Sequence, residues 1–168
     1  MNLSSAPAHI SFRPIEAADN EAIAFIIRTT LTEFGANKPG TVYFDATTDQ
    51  LFELFQNTSL SAYYVAIQNN TVVGGGGIFP TEGLPPETCE LVKMYLSKEV
   101  RGLGAGKRLI ETCLSRARQS GYQQVYLETM PELKNALHVY QKLGFEYLTH
   151  PMGNTGHFGC ELWMLKKL

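Results

Sequence analysis

Apolar residues change their spacing along the chain, and each change marks an element. His9-Ile10-Ser11-Phe12-Arg13 alternates and stops at Pro14, which predicts a first strand. Ile23, Ile26, Ile27, Leu31 and Phe34 then recur at helical spacing, with Asp19 or Asn20 as the cap and Gly35 as the stop. A loop rich in Gly, Pro and aromatics follows over residues 36–45. Leu51, Leu54 and Phe55 next fall on one face of a short helix that Thr48 or Asp49 can cap. Residues 63–67 and 71–78 are β-rich runs joined at Asn69-Asn70, and Asn tolerates positive φ, so they predict a hairpin. Gly74, Gly75, Gly76 and Gly77 weaken the second run and point to a bulge or a close backbone approach.

The second half alternates more regularly. Residues 90–96 form a strand, 103–120 a helix ended by Gly121, 124–129 a strand, and 132–143 a helix ended by Gly144. Residues 145–148 and 160–166 are closing strands. The pattern is α/β, with an antiparallel front and a strand-helix-strand unit behind.

Composition narrows the class. The chain has 168 residues, 44% hydrophobic and 18% charged, which fits one folded domain over 1–168 with a short flexible tail at 1–8. A net charge of −2 gives no basic excess for a nucleic-acid partner. The apolar run at residues 22–27 is far too short to span a bilayer, and the first residues lack a secretory pattern, so a cytoplasmic protein off the membrane is expected. Cys89, Cys113 and Cys160 form no C-x-x-C pair and read as small core residues. His9, His138, His150 and His157 show no i, i+4 pair, so no metal is expected.

The most informative segment is Arg101-Gly102-Leu103-Gly104-Ala105-Gly106-Lys107-Arg108, between a strand and a long amphipathic helix. Glycines there permit a tight turn that presents backbone N–H groups at a helix N-terminus, which makes an anion site, and Arg101 and Lys107 add charge. A P-loop would need Gly where Arg101 stands and Ser or Thr where Arg108 stands. The dinucleotide pattern would need Gly at Lys107. What remains is R-x-x-G-x-G.

That motif resembles the pyrophosphate loop of the GCN5-related N-acetyltransferases. Upstream, Cys89-Glu90-Leu91-Val92-Lys93-Met94-Tyr95-Leu96 is similar to the family's fourth strand. Downstream, Asn135-Ala136-Leu137-His138-Val139-Tyr140 with Gly144-Phe145-Glu146 resembles its N-A-x-x-x-Y-x-x-x-G-F-x signature. The matches span residues 88–148 in the family's order. The resemblance implies a twisted central sheet, flanked by helices, whose fourth and fifth strands splay apart to admit the pantetheine arm of acetyl-CoA. Backbone groups of Met94 and Leu96, with Tyr95 between them, would line that arm, residues 101–107 would hold the pyrophosphate, and Asn135 would steady the arm or cap its helix.

Acetyl transfer needs a base for the amine, a donor for the developing oxyanion and an acid for the leaving thiolate. A lysine-like ammonium titrates at about 10.4, so a base contributes roughly 10²–10⁴-fold. By resemblance Glu90 is the candidate base, or else a structural or substrate-orienting carboxylate. Tyr140 is the candidate acid, or an aromatic packed on the sheet, and the Met94 N–H is the candidate oxyanion donor. Glu33, Phe34, Tyr43 and Phe44 border one loop where the family shapes its acceptor site, and His157 lies in another. The aromatics read equally as a loop anchor, and His157 as a capped loop histidine. The expected activity is transfer of an acetyl group to a primary amine of a small-molecule acceptor, by direct attack in a ternary complex. Two alternatives are a CoA-binding regulatory module and an acyltransferase for a larger acyl group, given room beside the glycine strand. Family members often form homodimers.

Overall fold

The computed structural model describes residues 9–168; the tail predicted over residues 1–8 lies outside them. Seven strands make one sheet in the order β1-β2-β3-β4-β5-β7-β6. They are β1 (Ser11–Pro14), β2 (Ala62–Gln68), β3 (Thr71–Phe79), β4 (Thr88–Leu96), β5 (Gln124–Thr129), β6 (Glu146–Leu148) and β7 (Leu162–Lys167). The helices are α1 (Asn20–Glu33), α2 (Leu51–Gln56), α3 (Ala105–Gln119) and α4 (Lys134–Lys142). All neighbouring strands run antiparallel except β4 and β5. None of the helices among the described residues is long and apolar enough to cross a membrane.

Two cores sandwich the sheet, because its strands alternate. Ile110, Cys113 and Leu114 of α3 and Tyr140 of α4 pack on Leu91, Val125, Leu127 and Met164. Ile23, Ile27 and Leu31 of α1, with Leu51 and Phe55 of α2, pack on Tyr63 and Val65 from the other face. The predicted elements are all present, but the helix caps come from elsewhere. Thr48 Oγ1 donates to Val42 O, and Asp49 pairs with Arg28. The start of α2 is met instead by Asn20, whose Oδ1 accepts from Phe52 N at 2.9 Å. Asp19 accepts from Arg13 and from the Glu16 N–H rather than capping α1.

The β4–β5 ladder is short. It pairs Thr88 with Gln124, Cys89 with Val125 and Glu90 with Tyr126, then stops, although β4 runs on to Leu96 and β5 to Thr129. The two strands therefore fork after Glu90, as the resemblance implies. Opposite the fork, the β3–β4 register steps from Gly75↔Tyr95 to Gly77↔Val92, so Lys93 and Met94 both face Gly76. Lys93 takes the left-handed φ of 50° that this bulge requires.

The glycine strand explains how the bulge is held. Tyr63 lies against it: a Cβ on Gly75 would come within 2.7 Å of Tyr63 Cε1, and one on Gly77 within 2.8 Å of Tyr63 Cδ2. From there the Tyr63 hydroxyl donates to Lys93 O at 2.8 Å. Met94 fills the space beside Gly76, and Leu96 that beside Gly74. The room expected there for a larger acyl group is thus occupied by the protein's own side chains.

The glycines differ in what a methyl group would meet. A Cβ on Gly77 would sit 2.4 Å from the Ala62 carbonyl oxygen, which is backbone, whereas one on Gly76 meets the flexible end of Met94. Gly77→Ala is expected to lose about 1–3 kcal/mol in denaturant unfolding and Gly76→Ala distinctly less. Equal losses would contradict this account of the strand.

Candidate active site

Beyond the fork, β4 feeds a single 3-10 turn (Lys98–Val100) and then the glycine loop. Gly102 and Gly104 have φ of 77° and 78°, and a Cβ on either would meet nothing within 4 Å. Their need for glycine is therefore conformational, and the space before them is open. Among the described residues, no internal acceptor meets the backbone N–H groups of residues 102–107. Arg108 is the first to donate inward, to Gly104 O at 3.2 Å. Unpaired N–H groups at the head of a fifteen-residue helix are the kind of group that can receive an anion.

The basic residues of the loop divide their tasks. Lys107 is exposed and stands 3.9 Å from Glu111. Arg101 is committed inward. It donates to Leu96 O at 3.0 Å and forks onto Glu33 at 2.8 and 3.0 Å, with its guanidinium 5.1 Å from the centre of the Phe34 ring. Glu33 and Phe34 therefore sit with Arg101 beside the anion loop, tying α1 to it. Leu103 is exposed on the loop, and Ala105 is buried at the start of α3.

Met94, Tyr95 and Leu96 lie on β4 past the fork, where no strand among the described residues pairs with the edge facing β5. Asn135 is exposed at the second position of α4. The flanking residue there is Leu133, with no side-chain cap bond, so the helix-cap reading of Asn135 is not realised. Tyr140 is buried against Phe145, ring centres 5.8 Å apart, and burial pushes its phenol well up. Among the described residues its hydroxyl has no hydrogen-bond partner, yet it is not sealed from solvent.

Glu90 stands at the fork and is 4% exposed. Strand alternation puts it, with Glu128 of β5, on the α1/α2 side of the sheet, whereas Tyr140 belongs to the core on the α3/α4 side. The sheet layer thus separates the two predicted catalytic side chains, and the fork is the opening between them. Around Glu90 the structure gathers residues that the sequence did not single out. Thr81 donates to Glu90 Oε2 at 2.5 Å. Glu128 accepts from the Tyr126 hydroxyl at 2.6 Å and from the Thr155 hydroxyl. Ligand atoms of Glu90, Glu128 and His157 lie within 4.8 Å of one another.

His157 enters this group because Asp45 holds it. His157 Nε2 and Asp45 Oδ2 are 2.7 Å apart, and Lys93 Nζ donates to the same oxygen at 3.0 Å. The left-handed turn at Lys93 thus serves both the bulge and this ion pair. The loop expected to shape the acceptor site and the loop before β7 are also joined by Gly159 N donating to Gly40 O at 2.9 Å. Tyr43 packs its ring on Phe44 at 4.9 Å, and its carbonyl accepts from Arg28.

These contacts set the charges. Burial lifts the Glu90 carboxyl to about 7, against the opposing bond from Thr81, and Glu128 adds repulsion. Burial also works to raise Asp45, but His157 and Lys93 overcome it and bring the group down to about 2. For His157, burial opposes the charged form, and the Asp45 bond outweighs it, so its pKa is raised. Burial pushes the thiols of Cys89 and Cys160 up to about 12, which suits inert core residues.

Comparison with known proteins agrees with this geometry. The sequence model of the acetyltransferase (GNAT) family matches residues 19–145. The Escherichia coli protein named uncharacterized N-acetyltransferase YjgM is 40% identical over 165 residues, 97% of this chain and 98% of its own. Human N-acetyltransferase 8B is 34% identical over 119 residues, 67% of this chain, and the match spans about half (52%) of that relative's length. Among solved structures, a GNAT-family acetyltransferase from Staphylococcus aureus superposes with a TM-score of 0.83 at 18% identity, covering 95% of this chain and 99% of its own. YncA of Salmonella typhimurium, a putative acetyltransferase solved with its cofactor acetyl-CoA, gives 0.73 at 20% identity, covering 95% and 94%.

The raised Glu90 carboxyl has a stability consequence. Its contribution is full below the ordinary carboxylate value and is lost as pH climbs through about 7. Replacing it by neutral Gln removes that loss. Unfolding of Glu90→Gln against the parent is expected to shift in the variant's favour between pH 5 and pH 8, by on the order of 3 kcal/mol. A difference that does not change with pH would contradict the burial argument.

Proposed function

Because the chain belongs to the acetyltransferase (GNAT) family, we propose that it transfers the acetyl group of acetyl-CoA to the primary amine of a small-molecule acceptor, with both substrates bound together. The observation that carries this reading is the fork after Glu90↔Tyr126, which leaves the β4 edge without a strand and leads directly into the N–H cradle at residues 102–107. Those features fit the donor. Main-chain groups of Met94 and Leu96, with Tyr95 between them, would hold the pantetheine arm as an added strand. The N–H groups of residues 102–107 would receive the diphosphate, with Lys107 nearby, and the Asn135 amide, free of a cap, would donate to the arm. Arg101, closed on Glu33, serves as the strut of the loop rather than as a free cation.

Bound acetyl-CoA supplies a thioester, an acyl group reactive toward a neutral amine. The rest falls to the chain. Glu90 accepts a proton from the acceptor's ammonium, and only its ionised form can do so, so its value of about 7 places the change of state near neutrality. The Met94 N–H, at the bulge, offers a fixed donor to developing negative charge. The Tyr140 hydroxyl gives its proton to the departing sulfur and regains one from the second proton that the attacking nitrogen sheds as the amide forms. Glu90 and Tyr140 then act from opposite sides of the sheet through one opening, which keeps the base and the acid from exchanging protons directly.

The test is a pH profile. kcat/KM of the parent is expected to rise through an inflection near 7, and Glu90→Gln to lose that inflection together with roughly 10²–10⁴ in rate. Tyr140→Phe is expected to lower kcat more than it raises the KM for acetyl-CoA. A Glu90→Gln variant with the parent's rate and profile would remove Glu90 from the proton transfer.

A further inference from the structure

We infer that Glu128 and Glu90 together bind the acceptor's ammonium, and that Phe44 and Phe158 cover its body. The acceptor class is then a primary amine bearing an uncharged, apolar substituent. This inference rests on the acetyl-transfer reading above.

The first observation is that two buried carboxylates, Glu90 and Glu128, have no cation hydrogen-bonded to them among the described residues. Both cations of the cluster, Lys93 and His157, bond to Asp45. Among the described residues, Glu90 and Glu128 receive hydrogen bonds only from hydroxyls, those of Thr81, Tyr126 and Thr155. His157 Nδ1 stands 4.0 Å from Glu128 Oε1, beyond hydrogen-bond reach. The formal charges of Asp45, Glu128, Lys93 and charged His157 cancel while Glu90 holds its proton. Ionised Glu90 leaves one negative charge uncovered in a buried place, and one ammonium neutralises it.

The second observation is an open oxygen. Glu90 is 4% exposed, and among the described residues its Oε1 has no hydrogen-bond partner, while the sole sealed, unpartnered side-chain atom there is Glu132 Oε2. Glu90 Oε1 therefore borders accessible space, where an ammonium with three N–H donors can reach both carboxylates.

The third is the rim. Phe44 precedes Asp45 and Phe158 follows His157, so the 2.7 Å bond between Asp45 and His157 and the Gly159 N–H donating to Gly40 O hold the two phenylalanine-bearing loops side by side next to the cluster. They are 61% and 81% exposed. One side of the Phe158 ring lies against Gly40, where an added Cβ would come within 2.5 Å of it. Lys93, buried and taken by Asp45, offers no partner to an anionic group on the acceptor.

The test compares 2-phenylethylamine, ethylamine and glutamate as acceptors, and separately titrates 2-phenylethylamine into the protein without acetyl-CoA. We expect 2-phenylethylamine to exceed both others at least ~10-fold in kcat/KM. Glu128→Gln should raise its KM at least ~10-fold with the KM for acetyl-CoA unmoved. Phe158→Ser, an exposed site that leaves folding intact, should erase most of the advantage over ethylamine. Equal use of ethylamine, preference for glutamate, or an amine KM unmoved by Glu128→Gln would overturn the inference while leaving acetyl transfer standing. Zinc binding lost in Glu128→Gln, with no amine binding, would also overturn it. Amine binding without acetyl-CoA binding would support the amine site and sink the acetyl-transfer reading instead.

Discussion

The parting of β4 from β5 after Glu90↔Tyr126 is the constraint on which the rest of the structure depends. Backbone donors and acceptors inside a sheet are normally paired, and leaving a stretch of edge without a strand is unfavourable unless something else holds the geometry. Here the other side of β4 does so. Tyr63, laid against the glycines of β3, fixes Lys93 O, and so holds the extra residue of the β4 bulge opposite the fork.

The same bulge organises the electrostatics. By turning Lys93 into the left-handed region it buries a cation beside Asp45, which in turn fixes His157. Two loops far apart in sequence are thereby pinned over the fork, and the carboxylates of Glu90 and Glu128 are enclosed among hydroxyl donors. A carboxyl kept from water and short of a cation stays protonated to higher pH, which is the property a base working near neutrality needs. Backbone geometry and proton chemistry at this site thus trace to one irregular residue of β4.

Much of this was legible in the sequence, for identifiable reasons. Periodicity located the elements because each strand and helix buries one face. The tight turn before α3 was readable because Gly102 and Gly104 need positive φ next to a helix start, a purely local requirement. Glu90 was reachable through its fixed distance from that loop. Asp45 and Glu128 were not, since Asp45 meets Lys93 across 48 positions and His157 across 112, and only the folded sheet brings them together. The glycine run was half readable: it signalled a close approach, but nothing local said that Tyr63 was the group approaching. The caps of α1 and α2 failed for the same reason, tertiary partners having claimed Asp19, Thr48 and Asp49.

The central claim is that the open β4 edge and the loop that follows it are a preformed seat for the donor. Amide hydrogen exchange, resolved by residue with and without coenzyme A, tests this most directly. The account predicts strong slowing at residues 94–96 and 102–107 on binding, with the amides of β2 and β6 unchanged. Protection confined to other segments, or none at saturating coenzyme A, would contradict it.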